Sequence, residues 1–392
     1  MPINPKEDWT WVKKNGVWTN ADGRTMTPGI DPPPPNPATP LFAGHIPYRV
    51  LFGMNAAEGS PNNNQPGYDE AETLLTGAKG GYARRMFRGG AYTTNDFDTM
   101  YNLADQHPVN RQLPVITFKI PGNDWAGVLT GTYDATFTTW RDHMKAMRDL
   151  GKDPVLGGVH HEPSGDGTLS VWGQMQRYLN RFFTGHNPST GGSYNAANDV
   201  SDFMPWTTIM NGFKWGSRQY NATDIAAAYP TSLIQEMNEF GSGPMMVDTY
   251  DPEHQSYSRD SNGNRQDNLI VFKNANPDRL SNQVLNYIDW ARASGVKAIG
   301  CGEIGFMTSN EGIKTWQIMR ANRDIFCLAL HFNNFANSRW DWRLIPANYP
   351  SGNGTNSKGL VDVGGDTMSA NYITQYQTIL AESVLPQYTS PL

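Results

Sequence analysis

The sequence predicts an α/β protein built as a single (β/α)8 TIM barrel, and three observations predict it. From residue 46 onward short apolar runs alternate with longer amphipathic ones, the way repeated βα units and a parallel sheet read in sequence. Eight such units can be counted, whereas an open doubly wound sheet usually stops at about five to seven strands. Polar residues gather at the C-terminal ends of the strand candidates, the end at which barrels build their sites.

The elements follow in order. Residues 1–44 stand apart as an expected attachment segment, with residues 45–392 as the barrel. In WVKKNGVW the Asn15-Gly16 pair between aromatic and β-branched residues predicts a hairpin. PGIDPPPPNPATP follows, a stiff Pro-rich linker that cannot continue a helix or a sheet. The strand candidates are residues 48–55, 83–90, 113–121, 153–163, 204–213, 244–252, 297–306 and 326–335. Between them lie helix candidates at residues 93–106, 136–151, 171–183, 280–295 and 313–325, several closed by Gly or opened by Asp, Ser or Thr. SANYITQYQTILAES is expected as the eighth helix. Residues 184–202 and 336–368 read as insertions, the second overhanging the barrel mouth.

Composition narrows the partners. The chain of 392 residues carries a net charge of −6 and no basic run, which argues against nucleic acid. No stretch approaches the ~20 apolar residues of a membrane span, so no membrane partner is expected. The N-terminus, MPINPKEDWTWVKKNG, lacks the apolar core of a secretory signal. The chain is therefore expected in the cytoplasm or exported by another route, of which assembly into a virion, as part of a phage tail, is one. In that setting residues 1–44 would bind tail proteins. Cys301 and Cys327 sit in apolar runs without metal-ligand spacing and are expected as buried thiols. Neither a cofactor nor a metal is expected.

Chemistry concentrates at three strand ends: His160-His161-Glu162-Pro163, Asp248-Thr249-Tyr250-Asp251 and Gly302-Glu303-Ile304-Gly305. Glu303 lies inside KAIGCGEIGF, where an ionisable group among apolar neighbours must be paired or functional. Its bland reading is an ion pair with an arginine of strand two; that of Glu162 is a capping carboxylate. Two carboxylates on strands four and seven, however, are what cutting an acetal requires, one as acid for the leaving oxygen and one ionised at the anomeric carbon. A gap of about 5–5.5 Å gives retention through a covalent intermediate, and about 6.5–9.5 Å gives inversion by water.

The layout resembles the glycoside hydrolases of clan A, and most narrowly family 26, which includes the β-mannanases. His161-Glu162 resembles that family's acid/base pair, Tyr229-Pro230 and VDTYDPE resemble its YPG…VD…Y run, and GEIGF resembles the end of its seventh strand. The resemblance implies Glu303 as nucleophile, Glu162 as acid/base and Tyr250 as hydrogen-bond partner of the nucleophile. It further implies a carbohydrate substrate, cleaved internally with retention by a two-glutamate double displacement. Arg88 is the first candidate for a donor from strand two, with Arg84 and Arg85 as alternatives. His161 would orient Glu162 or touch a sugar hydroxyl, while His160 reads equally as a structural imidazole. Asn55, Trp125, Asn211 and His331 end other strands or open the loops beyond them and could line the cleft, and Trp340 or Trp342 could supply a stacking platform. For each of these a structural role is at least as natural.

Two rivals stand beside this reading. His160, His161, Glu162, Asp248, Asp251, His254 and His331 could ligate a metal in a metal-dependent hydrolase, although strand one ends in FGMN without a His-x-His pair. Alternatively, the barrel is a non-catalytic glycan-binding or structural scaffold in a virion tail.

Overall fold

The computed structural model describes residues 12–14, 17–19, 25–26, 50–55, 83–105, 112–216, 220–250, 258–259, 265–266, 280–306, 309–332, 335–336 and 340–341. Eight parallel strands form the central sheet: β1 (Leu51–Asn55), β2 (Ala83–Arg88), β3 (Leu113–Phe118), β4 (Leu156–Val159), β5 (Thr208–Asn211), β6 (Met245–Tyr250), β7 (Ile299–Gly305) and β8 (Phe326–Phe332). They pair in sequence order from β1 to β4 and from β5 to β8, and β8 returns to β1. The seam between β4 and β5 is closed by a parallel bridge from Gly157 to Trp206 and by a hydrogen bond from the Thr207 N–H to Gly157 O, 2.8 Å. The sheet is thus a barrel, as expected, with every predicted strand present.

The described helices are α1 (Thr94–Asp105), α2 (Trp125–Leu129), α3 (Asp134–Asp149), α4 (Leu169–Phe183), α5 (Ala222–Ala228), α6 (Thr231–Glu239), α7 (Leu280–Ala293) and α8 (Ser309–Ala321). All five predicted helix positions inside the described residues are helical. The two helices α5 and α6, between β5 and β6, were not predicted. The expected eighth helix, the Pro-rich linker and most of residues 336–368 lie outside the described residues. Near the N-terminus Val12–Lys14 pairs antiparallel with Val17–Thr19 across Asn15-Gly16, as the hairpin signal predicts, and Thr25–Met26 adds a third strand.

The core divides into two layers because strand side chains alternate faces. An inner cluster contains barrel-strand residues, among them Ala83, Leu113, Val115, Leu156, Ile209, Met246 and Leu328. An outer cluster packs the other strand face against the helices, joining Met86, Ile116 and Val247 to Phe97, Trp140, Trp172 and Ile288. β3, LPVITF, is buried along its whole length, as a strand covered on both faces must be. Both cysteines are buried free thiols, Cys301 in the outer cluster and Cys327 in the inner one. No described helix is long and apolar enough to cross a membrane.

Candidate active site

Strand phase decides which side chains reach the barrel interior. On β2, Ala83 is an inner residue, so Arg85 and Phe87 share its face while Arg84 and Arg88 face outward. Arg84 accordingly donates to Leu103 O on α1, 3.5 Å, and Arg88 pairs with Asp96 at the start of α1, 3.2 Å. The expectation for Arg88 is thereby corrected: the arginine of strand two that enters the barrel is Arg85. On β6, Met246 is inner, and Asp248 and Tyr250 follow it at intervals of two.

β7 reaches the same face by a different device. Ile299 and Cys301 belong to the outer cluster, and an unbroken strand would turn Glu303 outward with them. Instead the register against β6 slips: Cys301 sits opposite Val247, and Glu303 opposite Asp248. Gly302 is the extra residue of a β-bulge, which reverses the phase and aims Glu303 into the barrel.

Inside, Arg85 is the hub. Its Nη1 lies 2.8 Å from both Asp248 carboxylate oxygens and 2.7 Å from Glu303 Oε1. Burial works against the guanidinium's charge, but Asp248 and Glu303 outweigh it and raise its pKa. The Tyr250 hydroxyl donates to Glu303 Oε2. Burial, reinforced by Glu303, pushes the Tyr250 phenol well up, so it stays a donor. Both Glu303 oxygens are thus engaged, one by a cation and one by a hydroxyl, at a residue only 7% exposed.

Glu162 enters from the loop after β4. It adopts the left-handed conformation, with φ 53°, and so does His160, with φ 56°; two non-glycine residues in that region are costly unless their surroundings hold them there. The Glu162 N–H donates to Ile209 O, 3.1 Å, and Asn211 Oδ1 accepts from the Ser164 N–H, 2.8 Å, fastening this loop to β5. Loss of water around Glu162, followed by the charge of Glu303, pushes its carboxyl up to about 7. The Glu162 and Glu303 carboxyls therefore sense each other across the barrel mouth.

His161, Glu162 and Asp248 offer ligand-type atoms within 4.8 Å of one another. Burial, then the charge of Arg85, holds the His161 imidazole well below its ordinary pKa, and its ring sits edge-on to Phe87 at 4.2 Å. The metal reading does not fit this donor set, because Arg85 already occupies both oxygens of Asp248 with a fixed positive charge. Of its other members, Asp251 and His254 lie outside the described residues, and His160 is engaged with Asp166 at 3.0 Å. His331 shares the outward phase of Ala329 and packs near Phe306, ring centroids 4.8 Å apart, so it does not line the cleft.

Of the remaining candidates, Asn211 reaches the mouth, and Trp125 is buried edge-on against His160 at 4.7 Å, a wall beneath the loop rather than an open platform. Trp340 pairs with Ala336 in a short ribbon; its side chain and that of Asn55 lie outside the described residues. Sequence reasoning missed Phe87, Lys119 and Asp166. The phase of β2 relative to small, inward Ala83 was a usable signal for Arg85 and Phe87; no signal marked Lys119 or Asp166.

No protein-family model and no curated protein matches this chain. Among solved structures it is similar to GH26A from Muricauda sp. MAR_2010_75, at 14% identity over 78% of this chain and 91% of that one, TM-score 0.43. It is similar also to a ruminal GH26 endo-beta-1,4-mannanase, at 10% identity over 72% of this chain and 59% of that one, TM-score 0.45. A third is a Bacteroidetes-affiliated GH5 cellulase linked with a polysaccharide utilization locus, at 12% identity over 87% and 93% of the two chains, TM-score 0.43. At such identities the likenesses say nothing of individual site residues, whose chemistry follows from the geometry of the barrel mouth itself.

Proposed function

We propose that the protein is a retaining, endo-acting glycoside hydrolase that cleaves a polysaccharide by double displacement, with Glu162 as acid/base and Glu303 as nucleophile. The observation that supports this most is the contrast between the two carboxyls: Glu303 is held between Arg85 and Tyr250, while Glu162, which feels the charge of Glu303, has its pKa raised to about 7. Two carboxyls whose environments differ in this way can divide the acid and nucleophile roles.

In the first step a Glu303 oxygen attacks the anomeric carbon while Glu162 gives its proton to the glycosidic oxygen. The C–O bond breaks, the leaving sugar departs as an alcohol, and an ester joins the glycosyl unit to Glu303. Glu162, now a carboxylate, then takes a proton from water; the water oxygen attacks the anomeric carbon and Glu303 is released. Arg85 and Tyr250 orient the Glu303 oxygens and receive the changing charge. His161, neutral and beside Glu162, is placed to touch a sugar hydroxyl. The resemblance of His161-Glu162 to the family 26 pair supports the mechanism, and the substrate class it points to is a polysaccharide or cell-surface glycan.

The test is release of reducing ends from β-mannan, xylan and β-glucan by the wild type and Glu303→Gln. The expected result is release from at least one of these glycans that falls to background in the variant, with the newly formed anomer matching the substrate linkage in early NMR spectra. Binding of a glycan without release by the wild type would instead support the non-catalytic scaffold.

A further inference from the structure

One cluster beside the mouth is not used by this mechanism. Lys119, which follows β3, and His160 both reach the same oxygen of Asp166: Lys119 Nζ and His160 Nε2 each lie 3.0 Å from Asp166 Oδ2. Asp166 sits four residues after Glu162 in the same loop, and its backbone is tied as well, its N–H to Pro163 O at 3.1 Å and its O to Asn123 Nδ2 at 3.2 Å. His160 is fully buried. Its N–H donates to Phe118 O at 2.7 Å, and its O accepts from Trp172 Nε1 at 2.8 Å. Burial lowers the pKa of this imidazole, so the neutral ring donates from Nε2 to Asp166.

The two left-handed residues, His160 and Glu162, explain why so many bonds converge. Each such conformation is strained and persists only where its surroundings over-determine it. We propose that Asp166 and Lys119 are a positioning pair for the acid: through His160 they lock the left-handed turn that carries Glu162 into the barrel mouth. The proposal rests on the assignment of Glu162 as acid/base. It is consistent with the charges that Glu162 feels. Arg85 on β2 and Lys119 after β3 pull its pKa down, and Glu303 on β7 and Asp166 push it up. From β6, Asp248 and Tyr250 face it too, and both respond to its charge.

The pair acts only where the acid is needed, and leaving-group dependence reads this. In Asp166→Asn, kcat/KM for the polysaccharide should fall roughly 10- to 100-fold, whereas kcat/KM for an aryl glycoside with a dinitrophenolate leaving group should be nearly unchanged, because that group departs without protonation. Lys119→Met should behave likewise, and Lys119→Arg should restore most of the loss. A second readout needs no turnover: the Glu162 carboxyl followed by carbon-13 NMR should titrate lower in Asp166→Asn and higher in Lys119→Met. Equal losses on both substrates, or a Glu162 titration that moves in neither variant or in the same direction in both, would overturn the proposal. If the wild type cleaves neither substrate, the functional reading fails instead, and the NMR titration alone then decides whether the pair is coupled to Glu162.

Discussion

At the residue scale, the barrel mouth treats its two glutamates differently, and the difference has a pH signature. As the proposed acid, Glu162 must carry a proton when the glycosidic bond breaks. With its pKa near 7, kcat/KM should decline with rising pH through about 7, the limb belonging to the free enzyme's acid. Glu162→Gln should lose about 10²–10⁴-fold in kcat/KM on a polysaccharide and abolish that alkaline limb, which a pH–rate profile checks directly. Tyr250→Phe removes the hydroxyl that meets Glu303 while leaving the ring beside Phe332, at 5.6 Å, in place. Its expected cost is about 10²-fold in kcat, with thermal stability little changed, because a donor aimed at charge changing during reaction matters more to turnover than to folding. Activity within a few-fold of wild type would remove Tyr250 from the mechanism.

At the scale of single elements, the β-bulge in β7 is the feature on which the site turns, and it is also where sequence reading reached its limit. KAIGCGEIGF marks Glu303 as an ionisable group in an apolar strand, yet strict alternation from Ile299 and Cys301 would point it toward the helices. Nothing in the sequence apart from Gly302 hints at the slip that turns it inward. The same holds on β2, where three arginines in ARRMFR are chemically equivalent by composition and are separated only by phase. The bulge yields a sharp test. A Cβ at residue 302 would lie 2.7 Å from Asp248 Oδ1 and 3.1 Å from Ile209 Cδ1. Asp248 cannot swing away, because Arg85 holds both its oxygens. Gly302→Ala should therefore displace the Asp248–Arg85–Glu303 set and reduce kcat by more than 10-fold, on the order expected for sub-ångström to 1 Å misplacement, while the protein remains folded by circular dichroism.

At the scale of the whole molecule, the barrel was legible because parallel strands buried on both faces leave short, continuous apolar runs, and all eight appear where those runs lie. The helices α5 and α6 were not, because ATDIAAA and TSLIQEMNE are short and interrupted by Tyr229-Pro230, which masks their period. Two carboxyls with opposite shifts contribute in opposite senses to how the folded state responds to pH. Glu236 on α6 accepts from Arg177 at 2.9 Å and from Arg181 at 2.8 Å; although burial opposes it, these arginines hold its pKa below the ordinary value. Its stabilisation is present above pH 4.5 and is lost as pH falls through the lowered value. Glu162 has the opposite sign. Its folded pKa lies above the model-peptide value of 4.5, so the native state binds the proton more tightly and stability declines as pH rises from about 4.5 to about 7, by about 1–3 kcal/mol. The contribution of Glu162 to the melting temperature should therefore fall as pH rises from about 5 toward 8. Glu162→Gln, neutral throughout, should melt higher than wild type at pH 8, and the difference should vanish near pH 4. Glu236→Ala should cost about 3 kcal/mol at neutral pH by leaving two arginines without their shared carboxylate, a loss that shrinks in acid. Calorimetric scans of the three proteins between pH 4 and 8 separate these contributions, and a Glu162→Gln protein no more stable than wild type at pH 8 would show that Glu162 titrates in its ordinary range.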